Sequence, residues 1–262
     1  MKRLATRHLA VASGKGGVGK STVSLNLALA LAETGASVGL LDADIYGPDI
    51  AALVGLTRRT PAERLSLWRR ASGNLREPAL ERFGIRLMST QFLVAEDQAL
   101  AWSADLIELL VMRLVHDIDW GNLDWFIVDL PPGTADVQQH VVRHVPLTGA
   151  LVVVTPQDTA HLDAKKVIAM FERSSVPVLG GVENMAGMSC PSCACAIELF
   201  PSVADERSLW ATGLERMASI PFDPVVSAAG DSGQPLLLSH PESGGATSFR
   251  SLAGALLARV SV

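Results

Sequence analysis

The chain has 262 residues, 48% of them hydrophobic and 19% charged, with a formal net charge of −5. This is the composition of a globular protein with a sizeable core, and it excludes a disordered or fibrous chain. The negative balance argues against a whole-surface affinity for nucleic acid or anionic lipid, so no nucleic acid and no membrane partner is expected.

From the start, Met1-Lys2-Arg3-Leu4-Ala5 is basic but lacks the apolar run of a secretory signal, and no later stretch has the length of a membrane span. A cytoplasmic protein with reduced cysteines is therefore expected. Short β-branched runs alternate with amphipathic stretches almost to the end. Strands are expected near Leu9–Ser13, Ser37–Asp42, Ile85–Ser89, Trp125–Leu130, Ala150–Thr155, Val178–Glu183 and Ala218–Pro221. Helices are expected over Ser21–Glu33, Ala104–His116, Ala135–Arg143, Asp158–Glu172 and Thr247–Arg259. The pattern predicts an α/β fold with a mainly parallel, doubly wound sheet and helices on both faces, over one domain spanning residues 1–262. A cysteine loop near 185–200 and an Arg-rich segment near 57–82 stand out from it. The Arg-rich segment reads as a solvated face, with docking of an acidic partner or phosphate contacts to DNA as its functional readings.

Between the first strand and the first helix lies Gly14-Lys15-Gly16-Gly17-Val18-Gly19-Lys20-Ser21-Thr22, which fits the phosphate-loop pattern G-x-x-x-x-G-K-[ST]. Glycines let successive backbone N–H groups turn toward phosphate oxygens, and the following helix offers unpaired donors and its positive end. Lys20 would reach the β- and γ-phosphates of ATP, and the Ser21 hydroxyl would hold Mg²⁺. Further acidic groups fall where an open sheet leaves its crevice, at the carboxyl ends of strands. Asp42 and Asp129 are candidates for the Mg²⁺ site, Asp44 for orienting the attacking water, and the Pro131-Pro132-Gly133 turn for sensing the γ-phosphate. The amide of Asn184 could pair with an adenine edge.

All three cysteines lie in Cys190-Pro191-Ser192-Cys193-Ala194-Cys195. A C-x-x-C turn presents two thiolates on one side, suited to Zn²⁺ or an iron-sulfur cluster, both of which prefer four protein ligands in a closed site. One chain cannot close such a site, so two C-x-x-C pairs meeting across a two-fold axis are the expected completion. A zinc knuckle between subunits and a redox dithiol are the competing readings.

The additional lysine of the loop, Lys15, directly after its first glycine, resembles that of the deviant phosphate-loop group of MinD, ParA and nitrogenase iron protein. That resemblance implies a lysine reaching across a dimer interface to the nucleotide of the second copy, as an arginine finger does. Taken with Leu41-Asp42-Ala43-Asp44-Ile45-Tyr46-Gly47-Pro48, Val128–Thr134, Thr155-Pro156-Gln157-Asp158, Val182-Glu183-Asn184-Met185, Cys190–Cys193 and Ile220–Pro224, the loop makes nearly the whole chain resemble the Mrp family of ATP-binding iron-sulfur cluster carriers. The resemblance implies a homodimeric ATPase that carries a labile [4Fe-4S] cluster on Cys190 and Cys193 and hands it to recipient apo iron-sulfur proteins. The chain departs from the family pattern at Trp102–Asp105, Ala135 and Ala194, and Cys195 is additional. A positioning ATPase of the MinD or ParA kind, acting on DNA or membrane, has no evident need for the cysteines; an ATP-gated electron donor would differ in redox potential.

Overall fold

Every strand that carries a candidate residue ends on the same edge of one sheet. The structure, a computed structural model, describes residues 4–56, 77–92, 103–134, 136–190, 192–193, 195–201 and 203–260. The chain runs from β1 (Ala5–Ser13) through the glycine loop into α1 (Lys20–Glu33) and returns as β2 (Val38–Asp42). Then come α2 (Ile50–Leu53), β3 (Glu77–Pro78), β4 (Leu80–Arg82) and β5 (Ile85–Ser89). The middle of the chain forms α3 (Ala104–His116), β6 (Ile118–Asp119), β7 (Leu123–Asp129) and α4 (Asp136–His144). It continues with β8 (Gly149–Val154), α5 (Asp158–Arg173) and β9 (Val178–Asn184). A small ribbon, β10 (Met188–Ser189) and β11 (Ala196–Ile197), precedes β12 (Arg216–Ile220), α6 (Pro224–Asp231), α7 (Leu236–Ser239) and α8 (Gly244–Val260).

Eight strands form the main sheet in the order β12-β9-β8-β1-β7-β2-β5-β4. All neighbours run parallel except the β4–β5 edge pair. Residues Val38–Asp42, Phe126–Asp129 and Ala150–Val154 are buried without a break, as parallel strands covered on both faces require. One face packs against α1 and α8 through Leu25, Leu29, Phe249, Leu252 and Leu256. The other packs against α3, α4 and α5 through Leu110, Leu114, Val141 and Phe171, with Trp120 edge-on to Phe126 between them. Helix α1 is buried continuously from Val23 to Leu31, sandwiched between the sheet and α8, so its sequence lacks a polar face.

The fold class expected from the sequence holds. Five short strands (β3, β4, β6, β10 and β11) and helices α2, α6 and α7 were not anticipated. For α6 the signal was present: Asp223 caps it by accepting from the Val225 N–H, and Pro224 sits at its first turn. The C-terminal helix starts three residues earlier than expected, at Gly244 rather than Thr247, because the Ser243 hydroxyl accepts from the Ala246 N–H and caps it. Arg58 to Arg76, Trp102, Ala135 and Ala194 lie outside the described residues. Among the described residues no helix is long and apolar enough to cross a membrane.

Candidate functional site

Strand order reverses at β1, whose neighbours are β7 and β8, and ligand crevices of open α/β sheets form at such a switch point. A cleft of about 810 Å³ opens there, lined by Lys15, Gly16, Gly17, Gly19, Lys20, Ser21 and Thr22. Asp44, Tyr46 and Pro132 complete its near wall. Gly17 and Gly19 adopt φ of 79° and 81°, the left-handed region that a loop curling around an anion needs. Gly19 caps α1 without any side-chain bond, so the first N–H groups of the helix face the cleft as free donors.

One packing contact and two hydrogen bonds fix the loop and its flank. A Cβ on Gly14 would come within 2.3 Å of the Asp163 carbonyl carbon, so α5 abuts the loop where only glycine fits. Asn184, at the end of β9, donates its side-chain N–H to the Val18 carbonyl at 2.8 Å. The Gly133 N–H donates to the Ser13 carbonyl at 2.8 Å, tying the Pro-Pro-Gly turn to the end of β1. Val18 is itself buried in the core.

Beneath the cleft floor lie three carboxylates and one ammonium. Asp42 and Asp129 face each other in register on β2 and β7 and are fully buried. Lys20 Nζ lies 2.8 Å from Asp129 Oδ2 and 3.9 Å from Asp44 Oδ2. Asp129 also accepts from Ser21 Oγ and Ser24 Oγ, both at 2.6 Å. Asp42 accepts from Ser89 Oγ at 2.8 Å and from the backbone N–H groups of Asp44 and Ile50. Burial, reinforced by the Asp129 charge, raises the Asp42 pKa to about 8. Burial also raises Asp44, against the opposing pull of Lys20.

Lys20, Ser21, Asp44 and Asp129 are thus brought together as the sequence suggested. Asp42 lies beside them, but its oxygens are engaged by Ser89 and two backbone N–H groups rather than turned to the cleft. Asn184 turns its amide nitrogen to the loop instead of outward; it lines a second, more apolar recess of about 220 Å³ with Met185, Pro221, Phe222 and Phe249. Lys15 Nζ donates to Gln157 Oε1 at 2.7 Å and Thr159 Oγ1 at 3.2 Å within the same chain. Ser24 and Ser89 were missed, because a hydroxyl inside an apolar run gives no sign in the sequence that it meets a carboxylate. Ser21 Oγ and the Asp129 carboxylate, two hard oxygen donors 2.6 Å apart, have the chemistry of a Mg²⁺ site.

The cysteines occupy a separate place. They span the turn of the β10–β11 ribbon, closed by a Cys190 N–H to Cys195 carbonyl bond of 2.9 Å. Cys193 and Cys195 are exposed, Cys190 is half-buried, and none is in a disulfide. Among the described residues, the one group of three His, Cys, Asp or Glu ligand atoms close enough to share an ion lies elsewhere, at Glu108, His140 and His144. Among the described residues the three thiols form no such group, with one another or with a further ligand.

Comparison with known proteins agrees with this geometry. An iron-sulfur cluster carrier protein of Aquifex aeolicus is 43% identical over 95% of this chain, which spans 66% of that relative's length. The iron-sulfur cluster transfer protein NUBPL of Mus musculus is 41% identical over 96% of the chain and 77% of its own length. A nucleotide-binding protein from Archaeoglobus fulgidus, solved in complex with ADP, is 34% identical and superposes with a TM-score of 0.75 over 94% of this chain and 92% of its own. The family profile described as ParA, NUBPL iron-transfer P-loop NTPase matches residues 5–257, and the chain belongs to that family.

Proposed function

We propose that the protein is an ATPase that carries an iron-sulfur cluster, held between two copies of the chain, and delivers it to apo-proteins. The observation that carries this reading is a phosphate loop over the Lys20–Asp129–Ser21 constellation, in a chain whose strand β9 leads from that loop into a separate ribbon bearing three free thiols, two of them exposed.

The N–H groups of the loop and of α1 would bind the phosphates, with Lys20 moving from Asp129 onto the β- and γ-phosphates. Ser21 and Asp129 would hold Mg²⁺, which when bound neutralises charge on the transferred phosphoryl group. Asp42, locked to Ser89, is assigned a supporting part that fixes the Asp44 backbone. Asp44 spends Oδ1 on the Tyr46 and Gly47 N–H groups, which leaves Oδ2, beside Lys20, to orient the attacking water. The apolar recess that Asn184 lines is the assigned seat of the adenine base.

Lys15 is assigned to the nucleotide of the second copy, and its release from Gln157 and Thr159 would accompany dimer closure. Lys15→Ala is expected to lower turnover on the order of 10³-fold with nucleotide affinity nearly unchanged, measured by phosphate release and by equilibrium binding. Equal turnover in the variant would remove the trans role.

The cluster is the cargo, and Cys190 and Cys193 of each copy are its assigned ligands. Reconstitution without oxygen is expected to give about two irons and two acid-labile sulfides per chain, lost in both Cys190→Ala and Cys193→Ala. Zinc in place of iron, or no metal under any condition, would overturn the carrier reading in favour of a bridged structural site or a positioning ATPase.

A further inference from the structure

Helices α3 and α4 meet on the face of the sheet opposite α1, and at their contact three ligating side chains converge. His140 and His144 are one turn apart on α4, so both imidazoles project from one face of it. Glu108 projects toward them from α3, with Oε1 2.7 Å from His144 Nε2 and Oε2 3.7 Å from His140 Nδ1. One ligand atom from each residue lies within 4.8 Å of the other two. Around a tetrahedral Zn²⁺, with ligand distances near 2.0–2.2 Å, such atoms stand about 3.4 Å apart. To reach that spacing the 2.7 Å Glu108–His144 pair must open and the wider separations must close.

A bare ion pair between Glu108 and His144 does not account for His140. Its side chain is buried, 9% exposed, and its Nδ1 makes no hydrogen bond although it faces the carboxylate. A buried ring nitrogen without a hydrogen bond, its nearest carboxylate oxygen 3.7 Å away, carries a desolvation cost that a bound cation would remove. Glu108 and His144 remain partly exposed, at 34% and 20%, which gives an ion a way in and leaves room for a water as fourth ligand. Two imidazoles and a carboxylate favour zinc, cobalt or nickel over magnesium or calcium, which prefer oxygen alone.

We propose that Glu108, His140 and His144 form a binding site for one divalent transition-metal ion, distinct from both the nucleotide cleft and the cysteines. The ion pins α4 to α3. Because Gln138, on the same helix, donates to the Pro131 carbonyl at 2.6 Å, it also restrains the Pro-Pro-Gly turn from behind.

The test uses untagged full-length protein in which Cys190, Cys193 and Cys195 are serine, so that thiolates cannot contribute. Titration with Co²⁺ is expected to give one saturable site per chain, with visible d–d bands, no sulfur-to-metal charge transfer and displacement by Zn²⁺. His144→Ala and Glu108→Gln, both at partly exposed positions, should each weaken binding at least about tenfold. The metal-dependent rise in melting temperature should disappear with them, while metal-free melting stays near that of the parent. Absence of saturable binding, or binding undiminished in both variants, would overturn the site.

Discussion

Lys20→Ala is expected to abolish ATP hydrolysis and, separately, to lower the stability of the fold by about 3–5 kcal/mol. The second effect follows from what Lys20 touches. Its ammonium, 6% exposed, is the cation beside a fully buried Asp129, which itself adjoins the fully buried Asp42. Truncation leaves a carboxylate in a low-dielectric setting with only the Ser21 and Ser24 hydroxyls to offset it. Loss of turnover in this variant is therefore ambiguous unless stability is measured beside it. The double variant Lys20→Ala, Asp129→Asn tests the stability effect: it removes the stranded charge and should regain much of the denaturation midpoint, yet hydrolysis should stay absent because the phosphate-binding ammonium and the carboxylate assigned to Mg²⁺ are both gone. Denaturant titration with phosphate-release assays reads both quantities. Hydrolysis restored in the double variant would show that Lys20 serves the fold and not the chemistry.

Gly14→Ala is expected to be nearly as damaging, for a reason that involves no charge. The added methyl would stand 2.3 Å from the Asp163 carbonyl carbon and 2.5 Å from the Ala164 nitrogen, both backbone atoms of a sixteen-residue helix. Neither can yield as a side-chain tip yields, so the loop or α5 must move. Overpacking of this kind costs about 1–3 kcal/mol or more, and a displacement near 1 Å in a loop that positions reacting groups costs on the order of a hundredfold in rate. Gly16→Ala supplies the control, since a methyl there meets only Pro132 Cγ at 3.9 Å. Its stability should stay within about 0.5 kcal/mol of the parent. Equal melting temperatures for the Gly14 and Gly16 variants would refute the packing argument.

The contrast between these glycines also shows what could be read from the sequence. The loop pattern places six glycines and lysines at their stations but does not say which glycine is required by α5, which by φ and which by neither, because those answers depend on a helix that follows more than 140 residues later. The three aspartates were legible because each follows an apolar run that ends a strand. Their division of labour was not, because Ser24 and Ser89, which engage Asp129 and Asp42, are single hydroxyls in otherwise apolar elements. Asn184 was legible as a polar group at a strand end, but the direction of its amide depends on the Val18 carbonyl reaching it. The mainly parallel sheet, with strands buried on both faces, followed from hydrophobic runs; its strand order, with β1 at the centre, did not. The β10–β11 ribbon did not, since two paired residues on each side leave no periodicity to detect. The histidines of α4 show the same limit: their spacing is visible on one helix, whereas Glu108 arrives from another.

Strand β9 ends on Asn184, which grips the phosphate loop, and the chain then passes through the positive-φ residues Met185 and Gly187 straight into the ribbon that bears Cys190. Its exit is held as well, by the Ala186 N–H on the Ile220 carbonyl and the Phe222 N–H on the Gly187 carbonyl. The linkage is short and hydrogen-bonded at both ends. One side-chain bond and one short backbone segment therefore separate the loop at Val18 from the cysteine ribbon. In the carrier reading proposed above, nucleotide and cluster would bind at the two ends of this one segment.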